Sequence, residues 1–495
     1  MIQSLYKISN LIIFTLLFQF ACSQEKSVVP IVPGIMEHYE DFKEKDLKQR
    51  RIDRSDIAPL IENFKENSRI QVEKVGTSID GRELSLLSVG SGETSVFLWS
   101  QMHGDESTAT MAIFDILNFL TGDSYKAEKE QLLKNITLHF LPMLNPDGAH
   151  DFQRRNALGI DVNRDALRLQ SPEGKTLKRI RDSLDADFGF NLHDQSKYYN
   201  VEGTAAQATI SFLAPAYDFE KSINEVRGNA MKVIVEMNKA LQKEATGHVA
   251  KYNDDFEPRA FGDNIQKWGT STILIESGGF PTDPEKQEIR RLNVLAILTA
   301  IFSISDKGYE SADITDYQKI PENDSKLFDL KLTGMEYELL GENYILDLGI
   351  NHNEIPVKND EFYYHSRIAD QGDLSTNYGY KTTDVSGYKM KPGKVYQEIL
   401  PDLKALEKLD FQSLHSQGII FVRVANLPGS LKFTNFPIQV VSSQYKPTKE
   451  LQPGMNPTFI LEKAGRPGYA VINGFLISVG ESAPEIENGL IVRSR

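Results

Sequence analysis

The chain has 495 residues, of which 40% are hydrophobic and 25% are charged, and its formal net charge is −14. This composition is typical of a folded globular protein, and the length exceeds that of one ordinary domain. We therefore expect two domains, with room for a small third. The acidic balance, without a sustained basic stripe, argues against a nucleic-acid partner.

Residues 1–22 have the pattern of an export signal. Lys7 supplies a positive start, and the apolar run at 11–21 is too short to span a bilayer comfortably. The run ends at Cys22, the single cysteine, in a context that resembles a bacterial lipoprotein signal. We expect an exported protein of the bacterial envelope, attached to a membrane only through lipid on Cys22. A cleaved secretory signal with an incidental cysteine is the alternative.

Residues 23–50 are polar and charged, which predicts a tether and an N-terminal segment with a short helix. Helical and strand patterns alternate through the next part of the chain. Apolar periodicity predicts helices at 56–65, 109–120, 125–134, 173–184, 219–242 and 284–303. Alternating or continuous apolar runs predict strands at 70–76, 83–89, 96–100, 136–144, 188–192 and 271–275. Asp80-Gly81 between the first two strands is a hairpin signal. The alternation predicts an α/β fold, with a mixed sheet covered by helices on both faces.

Polar side chains follow four of these predicted strands. They are His103, Asn145, His193 and Glu276. In α/β sheets, sites collect at the carboxyl ends of strands, so we expect these side chains to lie close together. Imidazole and carboxylate are ligands that zinc accepts, and a hydrolytic zinc site uses three protein ligands. His103 and Glu106, three residues apart, with His193 as the third ligand, form the predicted set. A histidine hydrogen-bonded within the core is the alternative for His193.

The composition changes after the last predicted helix. Residues 306–325 are rich in Asp, Glu, Lys, Ser and Pro, which predicts a linker that separates two independent units. Apolar β-type runs alternate with turn residues in 326–495, which predicts a β-rich accessory domain, a sandwich by its pattern. The first unit, 51–305, is the predicted catalytic domain.

Five motifs occur in a fixed order along the first unit: His103/Glu106, Asn145–Gly148, Arg154 followed by Asp161-Val-Asn163-Arg164, His193, and Glu276. In these motifs, residues 50–305 resemble the zinc metallocarboxypeptidases, the carboxypeptidase A-like family. The Asp80-Gly-Arg-Glu hairpin is also similar to that of the family. The resemblance implies the family fold and an exopeptidase that hydrolyses a C-terminal amide bond.

The resemblance also implies residue roles. His103, Glu106 and His193 would bind one Zn²⁺ per chain, and Asn163 and Arg164 would hold the substrate carboxylate. Bidentate geometry makes arginine suited to that task. Arg154 would stabilise the developing oxyanion and is chosen over Arg155 by its spacing from Asp161. Glu276 would be the general base that takes a proton from zinc-bound water.

Two departures from the family pattern leave the substrate open. Asp254 stands where the family commonly has a mobile tyrosine, with Tyr252 nearby, and Asp105 replaces an arginine between the first two ligands. An aspartate at this position occurs in family branches that include murein-peptide amidases and acyl-amino-acid hydrolases, so such an amidase is an alternative. A non-catalytic, carboxypeptidase-like binding protein is another. Asp254, Asp255 and Asp263 lie in the segment expected to line the specificity pocket. They would select a basic C-terminal substrate residue there, or they form a solvated acidic loop.

Overall fold

The computed structural model describes residues 31–357, 361–480 and 488–493. We name residues 31–325 the N-terminal unit and residues 326–493 the C-terminal module. The signal predicted at 1–22, with Cys22, lies outside the described residues. Within the described ranges, every helix is too short or too polar to cross a bilayer.

A mixed sheet of eight strands forms the centre of the N-terminal unit. Numbered along the chain, the strands of this unit are β1 (Gln71–Thr77), β2 (Glu83–Gly90), β3 (Thr94–Ser100), β4 (Ile136–Leu141), β5 (Phe188–Asp194), β6 (Asn200–Val201), β7 (Ile210–Leu213), β8 (Val249–Lys251), β9 (Ser271–Ser277) and β10 (Asn323–Asp324). The spatial order in the sheet is β1-β2-β4-β3-β5-β9-β7-β8, and β6 pairs separately with β10. Strands β4, β3, β5 and β9 are mutually parallel neighbours, so their carboxyl ends lie at one edge.

Helices cover both faces of this sheet. They are α1 (Ile31–Met36), α2 (Tyr39–Phe42), α3 (Arg54–Lys65), α4 (Thr108–Thr121), α5 (Lys126–Asn135), α6 (Pro146–His150), α7 (Pro172–Leu184), α8 (Glu225–Glu244), α9 (Phe261–Lys267), α10 (Gln287–Ser305) and α11 (Ile314–Gln318). Successive residues of β3 point to opposite faces: Val96 and Leu98 belong to one buried cluster, and Phe97 and Trp99 to another. The predicted fold class is confirmed.

Several predicted segments differ from the structure in the N-terminal unit, and helix α8 begins at Glu225 rather than 219. Strand β4 ends at Leu141 rather than 144, because Met143 has a left-handed backbone (φ 54°) that a strand cannot continue through. The N-terminal segment from residue 31, where a tether followed by a short helix was predicted, forms α1 and α2 and packs into the main core through Ile35, Tyr39 and Leu47.

The expected linker at 306–325 is also wrong, because the structure places its apolar residues in the core of the N-terminal unit. Tyr309, Tyr317 and Ile320 are buried in the same cluster as α8 and α10. The backbone N–H of Ala214 donates to the Tyr317 hydroxyl at 3.1 Å. The segment is polar on average, but its three large apolar side chains anchor it in the core.

The C-terminal module contains two sheets. The first is built from β11 (Leu327–Leu339), β12 (Glu342–Pro356), β13 (Phe362–Gly372), β14 (Tyr378–Asp384), β15 (Lys389–Lys391), β20 (Phe459–Lys463), β21 (Arg466–Ile472) and β22 (Phe475–Ser478). The second contains β16 (Lys394–Leu400), β17 (Ile419–Val424), β18 (Phe433–Thr434), β19 (Gln439–Val441) and β23 (Gly489–Val492), with helix α12 (Phe411–Ser416) before β17. Both sheets contribute to one buried cluster that contains Phe421 and Ile460, so they pack on each other.

Candidate metal centre and active site

The loop after β3 carries the first two predicted ligands, His103 and Glu106, and packs closely against the loop after β4. A Cβ added at Gly104 would lie 1.9 Å from the carbonyl carbon of Gly148, so only glycine permits this approach. Asn145 caps the short helix α6 by accepting the N–H of Gly148 at 2.9 Å. Asp147 accepts the Ser78 hydroxyl at 2.7 Å, which fixes the β1–β2 hairpin to the same loop. The Asn145–Gly148 motif therefore builds the frame of the site.

Three potential metal ligands converge at the carboxyl ends of β3 and β5. His103, Glu106 and His193 offer donor atoms that lie within 4.8 Å of one another. The Nδ1 atoms of His103 and His193 each lie 2.7 Å from a different oxygen of Glu106. All three residues are at most 8% exposed, so bulk water does not screen their charges.

The charges in this cluster influence one another strongly. Burial opposes ionisation of Glu106, but the two adjacent histidines lower the pKa of its carboxyl below the usual range. Burial likewise disfavours the charged form of His103, yet Glu106 and Asp161 outweigh it and raise the His103 pKa to about 9. Burial lowers the pKa of His193. The carboxylate thus favours a positive charge beside it.

Asp161 links the first ligand to Arg154. Its Oδ1 lies 3.1 Å from Nε2 of His103, and its Oδ2 accepts Nε of Arg154 at 3.0 Å. Nη2 of that guanidinium also lies 3.0 Å from Asp161, and its third nitrogen, Nη1, lies 3.5 Å from Oε1 of Glu106. Asp161 therefore orients both the imidazole and a cation that faces the ligand cluster.

A cavity of about 370 Å³ opens beside the cluster and is lined by Asn163, Arg164 and Glu276. The side-chain amide oxygen of Asn163 accepts the backbone N–H of Phe261 at 2.9 Å, so its amide NH₂ faces the cluster, 3.4 Å from Nε2 of His193. The Arg164 guanidinium donates to the backbone carbonyl of Asn163 at 2.8 Å and lies 3.4 Å from the Glu257 carboxylate. This arrangement presents donors to an anion.

Glu276 lies on β9, directly opposite His193 of β5 in the parallel ladder. Its side chain is partly buried and lines the cavity together with the three candidate ligands. Burial raises the pKa of Glu276 well above its usual value, and the nearby negative charge of Glu106 raises it further. A carboxyl with this environment binds a proton more readily than an exposed glutamate.

The structure separates several alternatives that the sequence left open. Arg154 lies at the cluster, whereas Arg155 donates to the Gly159 carbonyl at 3.0 Å on the surface. Asp254 does not line the cavity, because Lys221 and Arg227 hold its two oxygens at 2.7 and 2.9 Å. Asp255 pairs with Lys221 at 2.9 Å but, unlike Asp254, lines the cavity.

Some cavity residues escaped the sequence analysis. Tyr199 and Glu257 line the cavity although neither belongs to a recognised motif. The ring of Tyr199 lies 6.0 Å from that of Tyr252, which also lines the cavity and whose pKa is raised by burial and by Glu276. The position of Tyr199 shortly after β5, at the carboxyl edge of the sheet, was the signal available.

The chain was also compared with known proteins. Residues 58–246 match the family described as zinc carboxypeptidase. This segment, which is less than half of the chain, is similar to the zinc carboxypeptidase family. The resemblance predicted from the motifs is therefore confirmed for this segment.

Individual relatives of this zinc carboxypeptidase domain are distant. Carboxypeptidase SOL1 of Arabidopsis thaliana is 26% identical over 222 residues, which is 37% of this chain and 45% of the relative. An uncharacterised Zymomonas mobilis protein is 29% identical over 138 residues, 27% of this chain and 36% of that protein. The matches thus span less than half the length of these two relatives. A crystal structure of a Burkholderia cenocepacia metallo-carboxypeptidase shares 20% identity, covers 52% of this chain and 69% of its own, and has a TM-score of 0.43.

The candidate cluster fits the zinc on which the family depends. Two imidazoles and one carboxylate form a donor set typical of catalytic zinc. Both Nδ1 atoms face the same carboxylate, so one cation could contact all three side chains. His103, whose Nε2 lies 3.1 Å from Asp161, also has the carboxylate partner that commonly orients a metal-binding imidazole.

Proposed function

We propose that the protein is a zinc-dependent exopeptidase that hydrolyses the C-terminal amide bond of a peptide or peptide-like substrate with a free carboxylate. One observation carries the proposal: the cavity that contains the His103–Glu106–His193 cluster is also lined by Arg154 and Arg164. The cluster suits a metal ion, and the two guanidinium groups suit the anions of an exopeptidase substrate and its transition state.

Asn163 and Arg164 are the proposed anchors of the substrate carboxylate. The amide NH₂ of Asn163 and the planar guanidinium of Arg164 can donate hydrogen bonds to the two oxygens of one carboxylate. Glu257, 3.4 Å from Arg164, restrains the guanidinium without burying it. These anchors would place the last amide bond of a substrate toward the metal cluster.

Arg154 is the proposed stabiliser of the oxyanion. Asp161 holds two of its nitrogens at 3.0 Å, which leaves Nη1 directed toward the ligand cluster. A guanidinium fixed in this way needs little reorganisation when charge develops on the carbonyl oxygen. Its positive charge would favour that developing negative charge.

One zinc ion per chain, bound by His103, Glu106 and His193, would supply a Lewis acid that polarises the carbonyl and lowers the pKa of water. Glu276 would accept the proton of the attacking water on its carboxylate and return it to the departing amine. The raised pKa of Glu276 supports this role, because a base must bind the proton that it transfers.

The decisive experiment separates metal binding from proton transfer. Glu276→Gln should retain stoichiometric zinc by elemental analysis and a normal melting curve, while kcat falls by about 10²–10⁴-fold because the general base is lost. His193→Ala should lose the metal. Loss of zinc from Glu276→Gln would make Glu276 a ligand instead, and full activity of that variant would refute the proposed mechanism.

A substrate panel distinguishes the exopeptidase from an amidase of the same fold. We expect free-acid peptides to be hydrolysed and their C-terminal amides to react poorly, because Arg164 has no carboxylate to bind. Arg164→Ala should lower the kcat/KM of the free-acid peptides far more than that of their C-terminal amides. Murein peptides and N-acyl amino acids belong in the panel, and exclusive turnover of either would assign the chain to the amidase alternative.

We also propose that residues 1–22 direct export to the bacterial envelope and that Cys22 carries the lipid. The apolar run ending at the single cysteine supports this proposal. Membrane fractionation of the Cys22→Ser variant tests it. Unchanged membrane association and electrophoretic mobility would contradict acylation.

A further inference from the structure

A second cavity, of about 600 Å³, lies between the N-terminal unit and the C-terminal module. Its wall on the module includes Asp329, His352, Asn353, Glu354, Tyr364 and Tyr380. Glu106, Asp194, Gln195 and Ser196 line both this interdomain cleft and the cavity of the candidate active site. The cleft therefore adjoins the candidate metal centre, and Arg164 lines only the active-site cavity.

Hydrogen bonds and ion pairs fix the two walls of the cleft to each other. Asp329 of the module accepts Lys197 Nζ and the Tyr198 hydroxyl, both at 2.6 Å. At the other end, Glu354 pairs with Arg51 at 3.0 Å and with Arg50. Lys197 and Tyr198 follow β5 within a few residues of His193, so the module directly contacts the segment that leaves the candidate metal site.

The cleft is lined by five aromatic side chains and by more acidic than basic side chains. Phe152, Tyr198, Phe280, Tyr364 and Tyr380 supply aromatic surface. The cations that line the cleft each have an acidic partner there: Arg50 pairs with Glu354, Lys197 with Asp329, and Lys286 with Asp194. The aromatic surface suits the side chains of a peptide, and the acidic excess disfavours an anionic ligand.

We propose that the interdomain cleft binds the peptide chain on the amino-terminal side of the scissile bond, so that the C-terminal module forms one wall of the substrate site. The inference rests on the proposed function, because Arg164 then takes the substrate's C-terminus. The residues on the other side of the bond extend past Glu106 and Asp194 into the cleft. The module thereby selects substrates by their length and by the side chains before the last bond.

Binding measurements on the full-length, zinc-loaded protein test this assignment. In the Glu276→Gln background, where turnover is slowed by about 10²–10⁴-fold, calorimetry gives Kd for a dipeptide and for a hexapeptide with the same C-terminal pair. We expect the hexapeptide to bind at least about tenfold more tightly, since extra side chains become buried in the cleft. Adding Asn353→Trp narrows the cleft from the module side and should abolish most of that gain.

Ile345→Trp is the matched control. Ile345 lies on the same strand, β12, but is 77% exposed and does not line the cleft. This variant should keep the full gain from the longer peptide. The inference would be overturned if the Glu276→Gln protein bound both peptides with equal Kd. It would also be overturned if the protein with Asn353→Trp added kept the gain from the longer peptide. Turnover by the unsubstituted enzyme is measured separately, so failure of the proposed exopeptidase activity would be recognised independently.

Discussion

Asp263 is a carboxylate placed where a substrate side chain would lie. It lines the active-site cavity near Arg164 and Glu257, and it accepts the backbone N–H of Glu257 at 3.0 Å. Burial raises the pKa of Asp263 to about 7. Ionisation of this group near neutral pH should therefore influence both stability and the preference for a charged C-terminal residue.

We expect Asp263→Asn to change the pH dependence of folding. Because the pKa of Asp263 is higher in the folded than in the unfolded state, its contribution to stability is full below about pH 4 and declines as the pH rises toward 7. Asparagine keeps the acceptor for Glu257 but cannot ionise. The variant should match the wild type at pH 4 and exceed it at pH 8 by at most about 4 kcal/mol.

Urea unfolding at pH 4, 6 and 8 measures this difference, and two parallel stability profiles would contradict it. The same ionisation should strengthen the wild-type preference for a C-terminal lysine over leucine as the pH rises through 7. Asp263→Asn should remove that rise.

The predictability of each site residue depended on what fixes its position. The carboxyl ends of parallel strands determine the locations of His103, His193 and Glu276, so strand prediction was sufficient to group them. The choice between Arg154 and Arg155 depends on an irregular loop, and family spacing rather than periodicity favoured Arg154. Tyr199 follows a segment that contacts Asp329 of the module, and such a long-range contact leaves no local pattern in the sequence.

At the scale of elements, one buried ion pair joins three parts of the N-terminal unit. Asp115 of α4 and Arg290 of α10 are both fully buried, and Nε of Arg290 donates to Asp115 at 2.7 Å. The Tyr39 hydroxyl and the Glu44 N–H also donate to Asp115, at 2.8 and 2.7 Å. The pair thus fixes the N-terminal segment, for which the sequence predicted a tether followed by a short helix, against two core helices.

Asp115→Ala should lower the free energy of unfolding by about 3–5 kcal/mol, because it leaves the Arg290 guanidinium buried without its counter-charge. Urea denaturation measures the loss, and hydrogen exchange should show faster exchange around Glu44. Replacing both partners, as Asp115→Leu with Arg290→Met, should cost less than Asp115→Ala alone. A smaller loss in the single variant than in the double variant would contradict this reading of the pair.

Secondary structure was predictable where one face or both faces of an element are regularly apolar. Helix α4 and strands β3 and β5 meet this condition, and their observed bounds lie close to the predicted ones. The second sheet of the module was not foreseen in detail, because β16, β17 and β19 pair in parallel through intervening segments. Short apolar runs do not reveal their partners or directions.

At the scale of the whole molecule, the point where the N-terminal unit ends determines how the chain can be divided. A cut at Asp306, which the composition suggested, removes Tyr309, Tyr317 and Ile320 from the core. A cut after Ser325 keeps all three, together with the short pairing of β10 and β6. Both truncated chains lack the C-terminal module, so they differ only in these contacts.

The chain that ends at Ser325 should unfold at a higher temperature and retain zinc. Burying each large apolar side chain contributes about 1.5–3 kcal/mol, so the chain that ends at Asp306 loses several kcal/mol and should be partly unfolded or prone to aggregation. Calorimetry and elemental analysis on the two truncated chains measure the difference. Equal melting temperatures would show that residues 307–325 contribute little to the core, and failure of the longer chain to fold would mean that the N-terminal unit depends on the module.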